Sequence, residues 1–319
     1  MHLNTKIAVV IPSYKVRQHV LEVIRSTGSE CDLIYVVDDC CPDQSGEFVL
    51  TNCDDPRVKV IFNKQNLGVG GAVLVGYTEA IKDGAAIIVK LDGDGQMDAT
   101  LIPKLIEPII TGYADYTKGN RFYDIRYISR MPFMRIVGNL CLSFMTKLSS
   151  GYWNIFDPTN GYTAIHAKIA EKLPFEKISS RYFFETDILF RLNTFRATVL
   201  DIPMDALYGD EKSNLKIHKI LGEFLFKHSR NFFKRILYNY FLRDFTVASL
   251  QLIFGILLFT FGLVWGIYKW AHNSHMGLPT PTGTIMLSVL PIIIGIQLLL
   301  SFLAFDISNT PGQTQHKLM

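Results

Sequence analysis

The chain has 319 residues, 49% of them hydrophobic, and a formal net charge of only +3. That length accommodates one sizeable α/β domain plus an appendage, and the near-balanced charge excludes a partner selected by global electrostatics. The positive mean hydropathy is high for a wholly soluble protein, and the excess collects after residue 245.

The N-terminus, MHLNTKIAVVIPSYK, lacks the long apolar core and small-residue cleavage site of a secretory leader and reads as the first strand of a domain. Residues 6–11 (KIAVVI) form a β-branched run ending at Pro12, the pattern of a buried strand in a parallel sheet. Residues 16–27 can form a helix with Val16, Val20, Val23 and Ile24 on one side. Residues 33–38 (LIYVVD) and 57–62 (RVKVIF) are read as the second and third buried strands. A glycine-rich turn at 66–71 opens a helix to about Asp83, and residues 85–91 (AAIIVKL) are a fourth strand ending at Asp92. Strands alternating with helices predict a doubly wound α/β sheet, whose ligands sit beyond the carboxyl ends of the strands. Pro12, Asp38, Asp39, Asp92 and Asp94 all fall at such ends. The five cysteines, at 31, 40, 41, 53 and 141, are odd in number and irregular in spacing, so they read as reduced thiols in a cytosolic compartment.

Residues 131–148 carry Phe133, Val137, Leu140, Phe144 and Leu148 at helical spacing, which predicts an amphipathic helix, either core-facing or lying at a membrane interface. Residues 245–268 and 284–305 contain no charge. At about 1.5 Å per residue each crosses a hydrocarbon core of roughly 30 Å, which predicts a transmembrane hairpin. The connection 271–283 has no Lys or Arg. The segment 212–243 has eight, interleaved with Leu221, Phe224, Leu225, Phe232, Phe233, Ile236 and Leu237. The positive-inside rule therefore puts the N-terminal domain on the cytoplasmic side, with this basic segment along the anionic leaflet and not on nucleic acid.

Three motifs carry candidate chemistry. In LDGDGQ (91–96), Asp94 and Gln96 supply oxygens suited to a hard divalent cation, and Asp92 can hold a ribose or sugar hydroxyl. The plain alternative is a surface Asp-Gly turn. An EF-hand is excluded, because the remaining ligands and the terminal Glu are missing. In VVDDCCPD (36–43), a strand-end acid either receives a nucleobase or ribose or caps a helix. NLGVGGA (66–72) resembles a dinucleotide fingerprint but follows the third strand, and close packing explains such glycines equally well.

Taken in order, IPSYK (11–15), VVDD (36–39), NLGVGGA (66–72) and LDGDGQ (91–96) resemble the family 2 inverting glycosyltransferases of GT-A fold, and within them the dolichyl-phosphate mannose synthase-like group of polyprenyl-phosphate glycosyltransferases. GNRF (119–122), DPTNGYTAI (157–165), RYFFETD (181–187) and YGDEKSNLKI (208–217) resemble later blocks of that group. Lys15-Val16 and Cys40-Cys41 depart from the group's usual Asn-Glu and Gly-Ser. The resemblance implies a GT-A domain over 1–210, Rossmann-like with a doubly wound, mostly parallel sheet. A basic amphipathic segment (211–243), the hairpin (244–306) and a cytoplasmic tail (307–319) would follow.

It further implies transfer of a hexose with inversion from a UDP- or GDP-sugar, UDP being the default. The donor would rest on Pro12, Tyr14, Asp39, Asn66, Gly71 and Asp92, with Mg²⁺ or Mn²⁺ at Asp94 and Gln96. Asp92, Asp94, Asp157, Glu185 and Asp187 are the candidate catalytic acids. A polyprenyl-phosphate acceptor would meet Arg121, Arg130, Arg135 and Lys212. A hydroxyl acceptor on a lipid-linked or capsular glycan would instead need Glu185, Asp187 or Asp157 as base. A catalytically silent membrane scaffold is the reading of another class, opposed by the intact Asp92–Gln96 run. Polar helix positions Gln251 and Gln297 suggest a homo-oligomer, and the implied location is a bacterial inner membrane.

Overall fold

The computed structural model describes residues 5–123, 133–204 and 217–319, and the side chains of all of these except 133–135 and 217–221. Seven strands form one sheet: β1 (Ile7–Ser13), β2 (Leu33–Asp38), β3 (Val58–Phe62), β4 (Ile87–Lys90), β5 (Tyr116–Asn120), β6 (Thr163–His166) and β7 (Val199–Pro203). The helices are α1 (Val20–Ser26), α2 (Ser45–Asn52), α3 (Val69–Lys82), α4 (Ile102–Ile110), α5 (Phe133–Ser150), α6 (Ala167–Ala170), α7 (Phe184–Thr194), α8 (Ile217–Leu237), α9 (Val247–His275) and α10 (Thr282–Ser308). Two compact units result, Met1–Phe232 with Pro311–Met319, and Phe233–Thr310.

The strand order is β3-β2-β1-β4-β6-β5-β7. β6 runs antiparallel to both β4 and β5, while β1 pairs parallel with β2 and β4, β2 with β3, and β5 with β7. Six strands therefore share one direction and deliver their carboxyl ends to one edge, where an open α/β sheet holds its ligand. The mixed sheet is the mostly parallel, doubly wound one expected. One detail differs: β3, read as buried, alternates half-buried and exposed residues because it lies at the sheet's edge.

Alternate residues of each strand feed two cores. Ala8, Val10, Tyr35, Val37 and Ile88 pack with α3, α6 and α7 on one face. Val9, Ile11, Ile34, Val36, Ile87 and Val89 pack with α1 and α4 on the other. This period-two division explains why the strands read as continuous apolar runs: both faces are covered. It also makes Lys90, on the same face as Ile88, a charge inside a core.

Helix α5 reverses the usual amphipathic arrangement. Its apolar stripe faces outward, with Val137, Leu140 and Phe144 36%, 49% and 53% exposed, while Ser143, Thr146, Ser149 and Ser150 are buried. Ser149 Oγ meets His228 Nδ1 of α8 at 2.8 Å. His228 is enclosed by the rings of Phe183 and Phe224, at 5.0 and 6.4 Å. Asn231 of α8 donates to Asp187 at 2.9 Å. The described part of α8 is thus docked along one face, leaving Leu225 and Phe226 exposed on the other.

The C-terminal segment is bound within the first unit. The fully buried Asp115 carboxylate accepts the backbone N–H groups of Gln315 (2.8 Å) and His316 (2.9 Å) and the Thr198 N–H (2.8 Å), and pairs with His316 Nδ1 at 2.7 Å. The His316 ring stacks on His166 at 4.3 Å. A free tail would make none of these contacts.

In the second unit α9 and α10 are long and apolar enough to cross a membrane, with mean hydropathies of 2.3 and 2.4. Small residues let them approach. A Cβ on Gly262 would lie 2.6 Å from Ser288 O, and one on Gly295 2.6 Å from Phe259 N. Gln251 Nε2 reaches Ser301 Oγ at 3.0 Å, so this amide is met inside its own hairpin, whereas Gln297 is exposed. Arg235 and Asp306 form a buried bidentate pair (2.6 and 3.0 Å) joined by the Tyr240 hydroxyl at 2.6 Å.

Two outcomes follow. Burial pushes the His228 imidazole down to about 4. A histidine depressed on folding contributes stability that is present above its unfolded value and lost as pH falls toward 4. In thermal melts in detergent this group should account for a loss of up to roughly 3 kcal/mol between pH 6.5 and 4, and His228→Gln should remove that part of the slope, leaving the part due to His166, which burial also pushes down to about 4. Asp115→Asn, weakening charge-assisted bonds to the tail, should cost about 2 kcal/mol at pH 7, read as a fall in Tm.

Candidate active site

The carboxyl edge of the sheet gathers the sequence motifs. β1 ends in Pro12 and Ser13, with Tyr14 next, and β2 ends in Asp38, with Asp39 next. Asp38 accepts Cys41 N and Gly46 N, both at 2.7 Å, and so holds the start of α2. Asp39 is buried and accepts Leu67 N (2.8 Å), Gly68 N (2.8 Å) and Asn63 Nδ2 (2.9 Å). Asn66 Nδ2 donates to the Asp39 carbonyl at 3.2 Å. The nucleobase role expected of Asp39 thus meets a carboxylate already engaged by three protein donors. Its visible work is to hold the 66–68 turn in place.

The glycines of that turn have steric causes. Gly68 has φ +83°, and a Cβ there would lie 2.7 Å from Ser180 O. A Cβ on Gly70 would lie 2.7 Å from the Phe184 side chain. Gly71 N donates to Ser180 O at 3.1 Å. The close-packing explanation of NLGVGG is therefore realised: its glycines admit the start of α7, which carries Glu185.

The 92–96 turn follows β4. Gly95 takes φ +75°, a conformation that favours glycine, and Gln96 N closes on Asp94 Oδ1 at 3.0 Å. Asp92, Asp94 and Gln96 are all partly exposed. Behind them lies Lys90, 1% exposed, whose Nζ is 2.9 Å from Asp92 Oδ1 and 3.3 Å from Glu185 Oε1. The Asp92 contact is an ion pair without the alignment of a hydrogen bond, which leaves buried Asp92 Oδ1 lacking an aligned donor. Burial alone would depress the ammonium. Asp92 and Glu185 outweigh it and hold Lys90 above its ordinary value. Gly161 closes over the trio: a Cβ there would sit 2.2 Å from Lys90 Nζ and 2.8 Å from Asp92 Oδ2.

A second buried network lies beyond β5. Arg121 grips Asp157 with Nε (2.7 Å) and Nη2 (3.0 Å). Burial tends to raise Asp157, but Arg121 and Lys118 bring it below the usual carboxylate range. Lys118 Nζ donates to Asn160 O at 2.5 Å, and burial lowers this lysine to about 8. Asp201, paired across the ladder from Lys118, accepts Phe156 N and Asn120 Nδ2, both at 2.9 Å, and is pushed by burial up to about 6.

The structure thus brings Asp92 and Glu185 into one cluster and Arg121 and Asp157 into another. Asp187 stands apart from both: fully buried, it accepts Ser179 N (2.8 Å) and Asn231 Nδ2 (2.9 Å), with Arg191 at 3.5 Å. Its position is that of a brace between α7, the 178–179 turn and α8. Arg130, Lys212 and the side chain of Arg135 lie outside the described residues. Reasoning from sequence passed over Lys90, Lys118 and Asp201. The available signal was a lone lysine inside each of the apolar or buried strands IIVK and YTKGN, since a charge so placed requires a partner.

Among the described residues no three His, Cys, Asp or Glu side chains group as a metal cluster. Magnesium-like ions commonly take one or two carboxylates plus substrate phosphates, so the oxygen set of Asp94 and Gln96 fits such an ion.

A mixed sheet of this order with acids at its carboxyl edge is a GT-A-type fold. Solved structures of the Mycobacterium tuberculosis glucosyl-3-phosphoglycerate synthase share the fold. Its complex with Mn²⁺ and UDP-glucose aligns with TM-score 0.54 and 17% identity over 73% of this chain and 79% of that one. Residues 8–174, more than half of the chain, match glycosyl transferase family 2, and the protein belongs to that family. It is 29% identical to the UDP-N-acetylglucosamine–dolichyl-phosphate N-acetylglucosaminyltransferase of Methanococcus voltae, over 64% of this chain and 86% of the relative. It is 28% identical to the undecaprenyl-phosphate mannosyltransferase of Micrococcus luteus (68% and 90%). With the polyprenol monophosphomannose synthase of Mycolicibacterium smegmatis it shares 26% (61% and 75%).

Gly161→Ala should displace the Lys90 ammonium. The expected cost is about 1–3 kcal/mol of stability, measured by thermal unfolding.

Proposed function

We propose that the protein transfers a hexose from a nucleoside-diphosphate sugar to a polyprenyl phosphate, with inversion, at the cytoplasmic face of a membrane. The relatives named above act on dolichyl, polyprenol or undecaprenyl phosphates, which supports this acceptor class. The observation that carries the choice is the state of the carboxylates. Each acid put forward as a base for a hydroxyl acceptor already has protein partners: Asp157 on Arg121, Glu185 on Lys90, Asp187 on Ser179 and Asn231. A hydroxyl acceptor needs a proton acceptor in reach. A phosphate monoester, with a second pKa of about 6, arrives largely ionised and needs only docking charge.

In this reading Pro12, Tyr14, Asn66, Gly71 and Asp92 line the donor, and Asp39 acts through the turn it holds. Asp94 and Gln96 would hold Mg²⁺ or Mn²⁺. The structural neighbour was solved in complex with Mn²⁺ and UDP-glucose, which supports a divalent ion here. Such an ion supplies positive charge to a departing nucleoside diphosphate. Arg121, aimed by Asp157, offers a guanidinium to the acceptor phosphate, with Arg130, Arg135 and Lys212 proposed beside it. The outward apolar stripe of α5 and exposed Leu225 and Phe226 of α8 suit a lipid interface. After α10 the chain re-enters the catalytic unit at Pro311, which an even number of crossings satisfies. The absence of Lys and Arg from 271–283 favours that loop outside and the catalytic unit in the cytoplasm. A homo-oligomer in a bacterial inner membrane remains part of the proposal, resting on exposed Gln297.

The test is a panel of radiolabelled UDP- and GDP-sugars with undecaprenyl phosphate and Mg²⁺ or Mn²⁺ on the detergent-purified protein. Label should enter the lipid phase, and Asp94→Ala should lower the rate by at least about 10²-fold. Nucleotide release that requires a glycan acceptor, with no labelled lipid, would transfer the assignment to the hydroxyl-acceptor class.

A further inference from the structure

We infer that Lys90 is a resident counter-cation. Its ammonium stands between Asp92 and Glu185, where a divalent ion would otherwise collect, and it thereby positions both carboxylates. The inference deepens the proposed donor site, since it rests on that site taking a nucleoside diphosphate together with a divalent ion.

Three observations carry it. First, one nitrogen serves both acids, at 2.9 and 3.3 Å, so the two carboxylate oxygens lie no farther apart than those contacts combined. Second, the lysine is withdrawn from water, its side chain 1% exposed. It is the last residue of a strand whose neighbours Val89 and Leu91 are fully buried, and Gly161 leaves space for Nζ but for no side chain of its own. A lysine on an accessible stem would extend its head to solvent. Third, the two acids belong to different parts of the site, Asp92 to the turn after β4 and Glu185 to the first turn of α7. Their spacing is therefore set by the cation they share and not by one local backbone.

Two carboxylates this close and partly withdrawn from water repel unless a proton or cation intervenes. Lys90 fills that role permanently. The trio keeps one net negative charge instead of two, which weakens its attraction for a free divalent ion. Asp94 and Gln96, next on the turn, then provide a modest oxygen set that a cation completes with the phosphates of the nucleotide. The consequence is a site that takes its metal with the donor rather than before it.

The measurement is Mn²⁺ binding to the full-length protein in detergent, followed by electron paramagnetic resonance with and without UDP. The wild type should bind Mn²⁺ weakly alone and more tightly with UDP. Lys90→Met should bind Mn²⁺ alone on the order of tenfold more tightly, with a smaller gain from UDP. Adding Glu185→Gln to that variant should return the affinity toward wild type. Glu185→Gln alone should move it the opposite way, to weaker binding. A merely structural lysine would produce no such pair of opposite shifts. A folded Lys90→Met with wild-type Mn²⁺ affinity would overturn the inference. If that variant does not fold, an unshifted Glu185→Gln would do so. Failure of lipid transfer alone, with UDP and Mn²⁺ still bound, would remove the proposed acceptor and leave Lys90's role standing. A wild type that binds neither would remove both.

Discussion

The arrangement of the site depends on burying a positive charge in the middle of a mixed sheet. Lys90 occupies a core position of β4, and a lone ammonium there would be strongly disfavoured. Asp92 and Glu185 make the burial tolerable, and in doing so they are fixed to each other. The same constraint reaches further. Glu185 can approach because α7 begins with Phe184 against Gly70, and the turn before that glycine is held at Leu67 and Gly68 by Asp39, the residue after β2. One charge thus connects β2, β4, the glycine turn and α7. A buried pair of this kind adds little net stability compared with apolar packing, but it penalises every arrangement in which one partner is absent.

The Arg121–Asp157 pair repeats the device beyond β5, with Lys118 and Asp201 beneath it. Both networks lie on the edge where six strands end. In both, a carboxylate put forward as a base, Glu185 in one and Asp157 in the other, is held by a basic side chain.

Helices α5 and α8 show a different physical solution. On α5 the small hydroxyl residues face the protein and the large apolar ones face away, the reverse of a soluble surface helix. Close approach is the gain, since serine and threonine permit α5 to meet His228 of α8 at hydrogen-bond distance. An apolar stripe left outward in this way suits contact with lipid. The tail after α10 adds a further constraint. Asp115 captures it at the start of β5, the strand that ends at Asn120 beside Arg121.

The division between sequence and tertiary structure follows the range of the forces involved. The strands leading to Pro12, Asp38 and Asp92, the hairpin and the glycine turn were legible because each depends on local pattern: β-branched runs, uncharged stretches of membrane length, residues that tolerate positive φ. The ordered motifs likewise identified the family. Local pattern could not reveal which side of α5 faces inward, because the same stripe serves a core or a bilayer. Nor could it reveal that Asp39 would be engaged by a turn nearly thirty residues on, that Asp187 would brace α8, or that the tail would bind Asp115 some two hundred residues away. Lys90 is the sharpest case. Its place in IIVKLD announces a buried charge in need of a partner, but Glu185 lies 95 residues downstream, and only the folded sheet, by bringing α7 over the end of β4, decided which acid that partner would be.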